Sequence, residues 1–231
     1  MPPPRIHYIF IEGNIGVGKS TFLQAIVPVF QTLGLHVVAV PEPLQAWQDI
    51  QGYNLLESFY SDPTRWACTF QSHAMATRVQ AINTALQSVP PTVQDVYVLC
   101  ERSIYADKHI FVKSLYTQGK LTPMEYATYD VWWNFLRPLV YPGIHAGVVY
   151  LRASPQTCYE RTKARHREEE ARVPLEYFQE LDTLHERAIH TPITWNSAPR
   201  LVIDENENIL DDAECAHDCV QRIVEAFVTK V

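Results

Sequence analysis

Five short runs of apolar, largely β-branched residues lie at 6–11, 35–40, 95–100, 147–152 and 200–204. Each is too brief for a helix, and together they predict strands. Between them the apolar positions shift to helical spacing, and helix starts are written into the sequence. Asp62-Pro63 opens the stretch 62–88 as an N-cap followed by proline at the first helical position. Thr122-Pro123-Met124-Glu125 has the spacing of a capping box, Ser154-Pro155 begins another helix, and residues 211–229 form the last. This alternation predicts an α/β fold: a five-stranded parallel sheet with helices on both faces. No repeat, low-complexity tract or linker divides the chain, so residues 1–231 read as a single domain.

The first strand feeds directly into Gly13-Asn14-Ile15-Gly16-Val17-Gly18-Lys19-Ser20, and Thr21 to Ile26 then reads as a helix. Strand, G-x-x-x-x-G-K-S loop and helix are the context of a phosphate-binding loop. Glycines let successive N–H groups converge on phosphate oxygens, and the helix N-terminus adds partial positive charge. Gly13, Asn14, Gly16, Gly18 and Thr21 are therefore candidate nucleotide-binding residues. Lys19 would reach the outer phosphates of ATP or another nucleoside triphosphate, and the Ser20 hydroxyl would ligate Mg²⁺.

Ligands of open parallel sheets bind beyond the carboxyl ends of the strands. After the second strand comes Pro41-Glu42-Pro43, whose prolines stiffen the turn around a candidate general base. After the third comes Glu101-Arg102, an acid placed to hold Mg²⁺ and a guanidinium able to pair with Glu42. Beyond the fourth, Arg161, Lys163, Arg165 and Arg167 crowd a helix end, forming a short basic lid over about 161–172. On the helix from Asp62, Gln71, Ala74 and Arg78 share one stripe, where an amide could read a base edge.

The net charge of −7 gives the chain no electrostatic footprint for nucleic acid or an acidic membrane. No apolar run approaches a membrane span, and the N-terminus carries neither a secretory nor a mitochondrial signature. The five cysteines, Cys68, Cys100, Cys158, Cys215 and Cys219, are scattered and odd in number, which suits reduced thiols in the cytosol or nucleus. Cys215, His217 and Cys219 lack the second ligand pair that structural zinc requires.

The motifs GNIGVGKST, PEP with Trp47, RWACTFQ, ERSIYADKHIF, YLRASPQTCYERTKARHREEE and PLEYF cover nearly the whole chain in order. Together they resemble the cellular deoxynucleoside kinases, the group of deoxycytidine kinase, deoxyguanosine kinase and mitochondrial thymidine kinase. The resemblance implies a phosphate-loop kinase fold, a homodimer, and transfer of the γ-phosphoryl group to the 5′-hydroxyl of a deoxynucleoside. It makes Glu42 the base, with Arg102 contacting both Glu42 and that hydroxyl, and puts Ser20 and Glu101 in the Mg²⁺ shell. Gln71 would read the base edge, with Ile15, Trp47, Leu56, Phe70 and Phe111 around the nucleoside. Tyr60 and Glu170 would hold the 3′-hydroxyl, and Arg161, Arg165 and Arg167 would form the lid. Ala74, Arg78 and Asp107 match the members that take deoxycytidine and purine deoxynucleosides, although thymidine stays open.

There are departures from the family pattern. An Asn-Ile pair at 208–209 stands where deoxycytidine kinase has an acid and an aromatic beside the donor base, so donor preference does not carry over. Phe59 and Met75 differ in bulk and are expected to reshape the pocket. Two rival readings share the loop: a nucleoside monophosphate kinase of thymidylate kinase type, and a non-catalytic nucleotide switch. The first needs an arginine where Pro41 stands, and Glu42 would repel its phosphate acceptor. The second has no need for Glu42, Glu101 and the lid arginines together.

Overall fold

The computed structural model describes residues 3–141, 145–191, 195, 198–204 and 213–228. Its strands are β1 (Arg5–Glu12), β2 (Val37–Val40), β3 (Asp95–Glu101), β4 (His145–Arg152) and β5 (Arg200–Asp204). They pair in parallel in the order β2-β3-β1-β4-β5. From β1 the chain goes to the outer strand β2, returns with β3 between the two, and then crosses to the other side of β1, leaving a crevice at the carboxyl ends of β1 and β3.

Side chains of β1 alternate between two cores. Tyr8 and Phe10 join one with Trp47, Phe59, Met75, Tyr129 and Trp133; Ile9 and Ile11 join another with Phe22, Phe30, Phe178 and Val220. A strand buried on both faces must read as a continuous apolar run, and this one does.

The helices are α1 (Lys19–Thr32), α2 (Gln45–Gln48), α3 (Leu55–Ser61), α4 (Pro63–Gln87) and α5 (Ile104–Ala106). A wide π turn, Asp107–Val112, leads from α5 into α6 (Lys113–Thr117), followed by α7 (Pro123–Val140), α8 (Pro155–Ala164), α9 (Leu175–Ile189) and α10 (Ala213–Ile223). The expected caps are in place. Asp62 accepts from the N–H of Arg65 at 3.1 Å, Ser154 from that of Thr157 at 3.0 Å, and Thr122 and Glu125 cap each other reciprocally. Each satisfies a backbone donor that the first helical turn leaves free.

The second strand starts at Val37 rather than at residue 35, because the Leu35 N–H is committed to the Phe30 carbonyl in closing α1. The last helix is described from Ala213 and widens into a π turn at Val224–Val228. The donor-side loop expected after Asp204, including the Asn-Ile pair at 208–209, lies outside the described residues. Among the described residues no helix is long and apolar enough to cross a membrane.

Candidate active site

The glycine-rich turn between β1 and α1 is shaped by two close constraints. Gly18 caps α1 with φ near 108°, a left-handed region that favours glycine. At Gly16, φ is near 76°, and a Cβ would come within 2.3 Å of both the Cys158 carbonyl oxygen and Thr162 Oγ1 on α8. The turn therefore lies directly against the helix that carries the basic segment. Lys19 is buried, and its ammonium donates to the carbonyl of Asn14 at 2.7 Å. Burial, with Arg102 nearby, brings its pKa down to about 7.

At the end of β3, Glu101 and Arg102 are both buried. Glu101 accepts from the Ser20 hydroxyl at 2.7 Å and from the N–H of Glu42 at 3.4 Å. Arg102 has φ near 69°, uncommon for a side chain of this size and a conformation that clusters at functional sites. Its Nε lies 3.4 Å from Glu42 Oε1, while Nη2 of Arg78 donates to the same oxygen at 3.2 Å. Burial opposes ionisation of Glu42, but Arg102, Arg78 and Lys19 outweigh it and hold its pKa at about 2.

Arg78 reaches further than its place on the stripe suggested. Its guanidinium also grips Asp107 through two hydrogen bonds of 3.0 and 3.3 Å and donates to the Glu101 carbonyl at 2.9 Å. The π turn positions Asp107 for this contact and carries Phe111 beneath Arg102, whose guanidinium carbon sits 4.6 Å from the ring centre. Such widened turns recur at functional sites.

These groups surround a cavity of about 530 Å³. Gln71, Ala74, Ile15, Leu56 and Phe70 line it, together with Trp47, whose Nε1 is fixed by a 2.9 Å bond to Thr77. Phe59 also lines it, stacked on Phe70 with centroids 4.5 Å apart, whereas Met75 packs behind the wall in the core. Tyr60 and Glu170 face the same space, as do Gly16, Gly18, Ser20, Thr21, Arg161, Arg165 and Arg167.

The run of acids after residue 167 does more than neutralise its basic neighbours. Glu170 is buried and binds both Arg165, through Nε at 3.0 Å, and Arg167, at 2.9 Å. Glu169 accepts from Gln48 at 2.8 Å and Asn54 at 2.9 Å, tying the basic segment to α2 and to the start of α3.

Gly13 and Asn14, expected at the nucleotide, do not line the cavity. Asn14 is turned inward, its amide donating to the Phe178 carbonyl at 2.9 Å, and the Gly13 carbonyl accepts from Arg102 at 3.0 Å. They shape the turn from behind. Val17, Leu44 and Tyr177 line the cavity without having been singled out by the sequence. Glu12 was missed too, although a charge closing an apolar strand just before a glycine turn is a usable signal. It is fully buried; Oε1 accepts from Ser103 at 2.6 Å, and Oε2 has no hydrogen-bond partner among the described residues.

The profile of the deoxynucleoside kinase family matches residues 9–229. The chain belongs to that family. It is similar to deoxycytidine kinase 1 of Xenopus laevis, at 31% identity covering 97% of this chain and 92% of the relative. It is also similar to the mitochondrial deoxyguanosine kinase of the same organism, at 33% over 97% and 90%. Human mitochondrial thymidine kinase 2 is 34% identical over 87% of this chain and 71% of its own. This deoxynucleoside kinase transfers a phosphoryl group from a nucleoside triphosphate to a deoxynucleoside, and its family implies dependence on ATP and Mg²⁺. The monophosphate-kinase and switch readings are set aside.

Burial raises the pKa of Glu12 from 4.5 to about 7, against the opposing pull of Arg102 and Ser103. A carboxyl protonated more readily when folded stabilises below its unfolded pKa and loses that contribution as pH rises through the folded one. Glu12→Gln should therefore gain on the parent in unfolding free energy by on the order of 3 kcal/mol between about pH 4 and about pH 8. Denaturant titrations across that range check it; a gap independent of pH would mean that Glu12 titrates normally.

Proposed function

We propose that this kinase phosphorylates the 5′-hydroxyl of deoxycytidine or a purine deoxynucleoside within one catalytic domain of phosphate-loop type, using Glu42 as the base. The observation that carries this reading is a cavity-facing carboxylate, held ionised by three cations beside a glycine loop.

In this reading the acceptor hydroxyl gives its proton to Glu42, its oxygen bonds to the γ-phosphorus, and the bond to the β-phosphate oxygen breaks, releasing the diphosphate. A pKa of about 2 would make Glu42 a feeble base. An anionic donor offsets Lys19 and the arginines and restores basicity as the complex assembles. Arg102 steers the hydroxyl toward Glu42. Gly16, Gly18, Ser20 and Thr21 present the loop to the phosphates, with Gly13 and Asn14 supporting it. Lys19 turns from its loop carbonyl to the outer phosphates. Arg161, Arg165 and Arg167 act as the lid and neutralise charge developing on the transferred group.

Mg²⁺ favours hard oxygen ligands and takes one or two protein groups beside phosphate oxygens. The Ser20 hydroxyl and the Glu101 carboxylate, 2.7 Å apart at the loop end, fit that demand and would hold it. The chemistry supplied there would be neutralisation of charge on the donor phosphates. Around the acceptor, Gln71 pairs with the base edge, Phe111, Phe70, Trp47, Leu56 and Ile15 enclose it, and Tyr60 and Glu170 take the 3′-hydroxyl. Arg78 and Asp107 fill the space near the pyrimidine 5-position beside Ala74, which favours a base without a methyl group there.

Helix α7 supports the homodimer implied by the resemblance. Val131, Trp132, Phe135 and Leu139 are each between 53% and 68% exposed on one face. Contiguous apolar surface of this kind marks a protein interface. The occupant proposed is a second copy, pairing the same face across a two-fold axis.

A panel of four deoxynucleosides assayed with ATP tests the assignment. Glu42→Gln should lower kcat by about 10²–10⁴ and leave acceptor affinity within a few-fold. Turnover surviving within about threefold of the parent would remove Glu42 as the base. Arg78→Met with Asp107→Ala should raise the thymidine-to-deoxycytidine ratio of kcat/KM by at least about tenfold, equivalent to about 1.4 kcal/mol. Because Arg78 also holds Glu42, absolute turnover should fall with both substrates. An unchanged ratio would make the pair a structural bridge without influence on base choice. Trp132→Glu with Phe135→Glu should convert a dimer to an active-site-intact monomer in sedimentation; a monomeric parent would overturn the α7 interface.

A further inference from the structure

Behind the cavity wall, helix α9 brings against Arg102 and Phe111 one side chain that the chemistry above leaves unused. His185 is fully buried, and its Nδ1 lies 2.7 Å from the Leu181 carbonyl one turn back. A carbonyl only accepts, so Nδ1 carries the proton. The ring is neutral, since burial and the charge of Arg102 bring its pKa down to about 3. A neutral imidazole protonated at Nδ1 presents a lone pair at Nε2.

Nη1 of Arg102 lies 3.5 Å from that lone pair and also donates to the Gly13 carbonyl at 3.0 Å. One face of the guanidinium covers Phe111, whose ring meets the imidazole edge-on at 6.1 Å. Its Nε lies 3.4 Å from the Glu42 carboxylate. The ring also meets the Gly13 backbone, whose carbonyl shares the Nη1 donor of Arg102 with Nε2. Here that atom faces the guanidinium whose orientation sets the approach to Glu42.

We propose that His185 is a positioning residue, accepting at Nε2 from Arg102 and so fixing the guanidinium in the rotamer that aims Nε at Glu42. This makes α9 a brace behind both halves of the site, because Asn14 of the glycine turn is anchored to the same helix at Phe178. The inference rests on the role given to Arg102 above.

Two substitutions separate the ring's two contacts. His185→Asn keeps a donor for the Leu181 carbonyl but ends short of Nε2; His185→Gln places an amide oxygen near Nε2. Kinetics with deoxycytidine and ATP should show His185→Gln within about threefold of the parent in kcat and His185→Asn reduced by at least about tenfold, with KM for both substrates within about threefold. Each is also measured in an Arg102→Lys background, where the fork is lost. There His185→Asn should change kcat by less than about twofold, the signature of a contact already broken. If Arg102→Lys is impaired and the His185→Asn loss multiplies onto it in full, Arg102 keeps its role and the one given to His185 is wrong. If Arg102→Lys alone retains full turnover, the role of Arg102 falls and takes this inference with it. An inactive His185→Gln beside an active His185→Asn would place the histidine's contribution at Leu181 and overturn the proposal.

Discussion

One carboxylate oxygen, Oε1 of Glu42, stands between two guanidinium groups at the carboxyl edge of the sheet. Arg78 and Arg102 are buried, and Lys19 is buried close by, so three positive charges occupy a region from which water is largely excluded. Like charges so placed are tolerable only when carboxylates and carbonyls are interleaved with them. Asp107, the Glu101 carbonyl and the Gly13 carbonyl take those positions. The depressed pKa of Lys19, at about 7, reflects its burial first and the nearby charge of Arg102 second. An anionic substrate is then the natural last member of the set, and the same charge balance that holds the strand ends together selects for it.

The strand and helix order was legible because buried parallel strands must be continuously apolar and helix starts need caps, both local signals. The glycine turn was legible for the same reason. The stripe of Gln71, Ala74 and Arg78 could be placed on one helix face, but its partners come from other strand ends. Spacing along α4 says nothing about Glu42 lying within reach of Arg78. Nor does it reveal that Gly13 and Asn14 turn away from the cavity, since that follows from how α9 packs behind them. The acids after residue 167 could be read as solvated neighbours cancelling a basic run; the burial of Glu170 between two arginines depends on the segment folding back. Glu12 escaped because its environment is set by Ser103 and Trp195, brought to it by the third strand end and by a residue late in the chain.

The basic segment is bound at one end to the glycine turn and at the other to the aromatic side of the cavity. Arg161 donates to the Val17 carbonyl in the glycine turn at 3.2 Å, and Glu169 holds Gln48 and Asn54 beside the wall that includes Trp47 and Leu56. Glycine turn and cavity wall are thus linked through one short stretch of chain. A disturbance at either side reaches the other through hydrogen bonds rather than across open solvent.

The widened turn at 107–112 bears on how this sequence tolerates change. Asp107 must face Arg78 while Phe111, four residues on, must lie under Arg102. Closing the wide turn into an ordinary helix without loss of a residue would rotate everything downstream by about 100°. Phe111 would leave the guanidinium although every neighbouring residue type was unchanged. The extra residue held in the turn, and not residue type alone, is therefore what sets Asp107 and Phe111 on their two guanidinium partners.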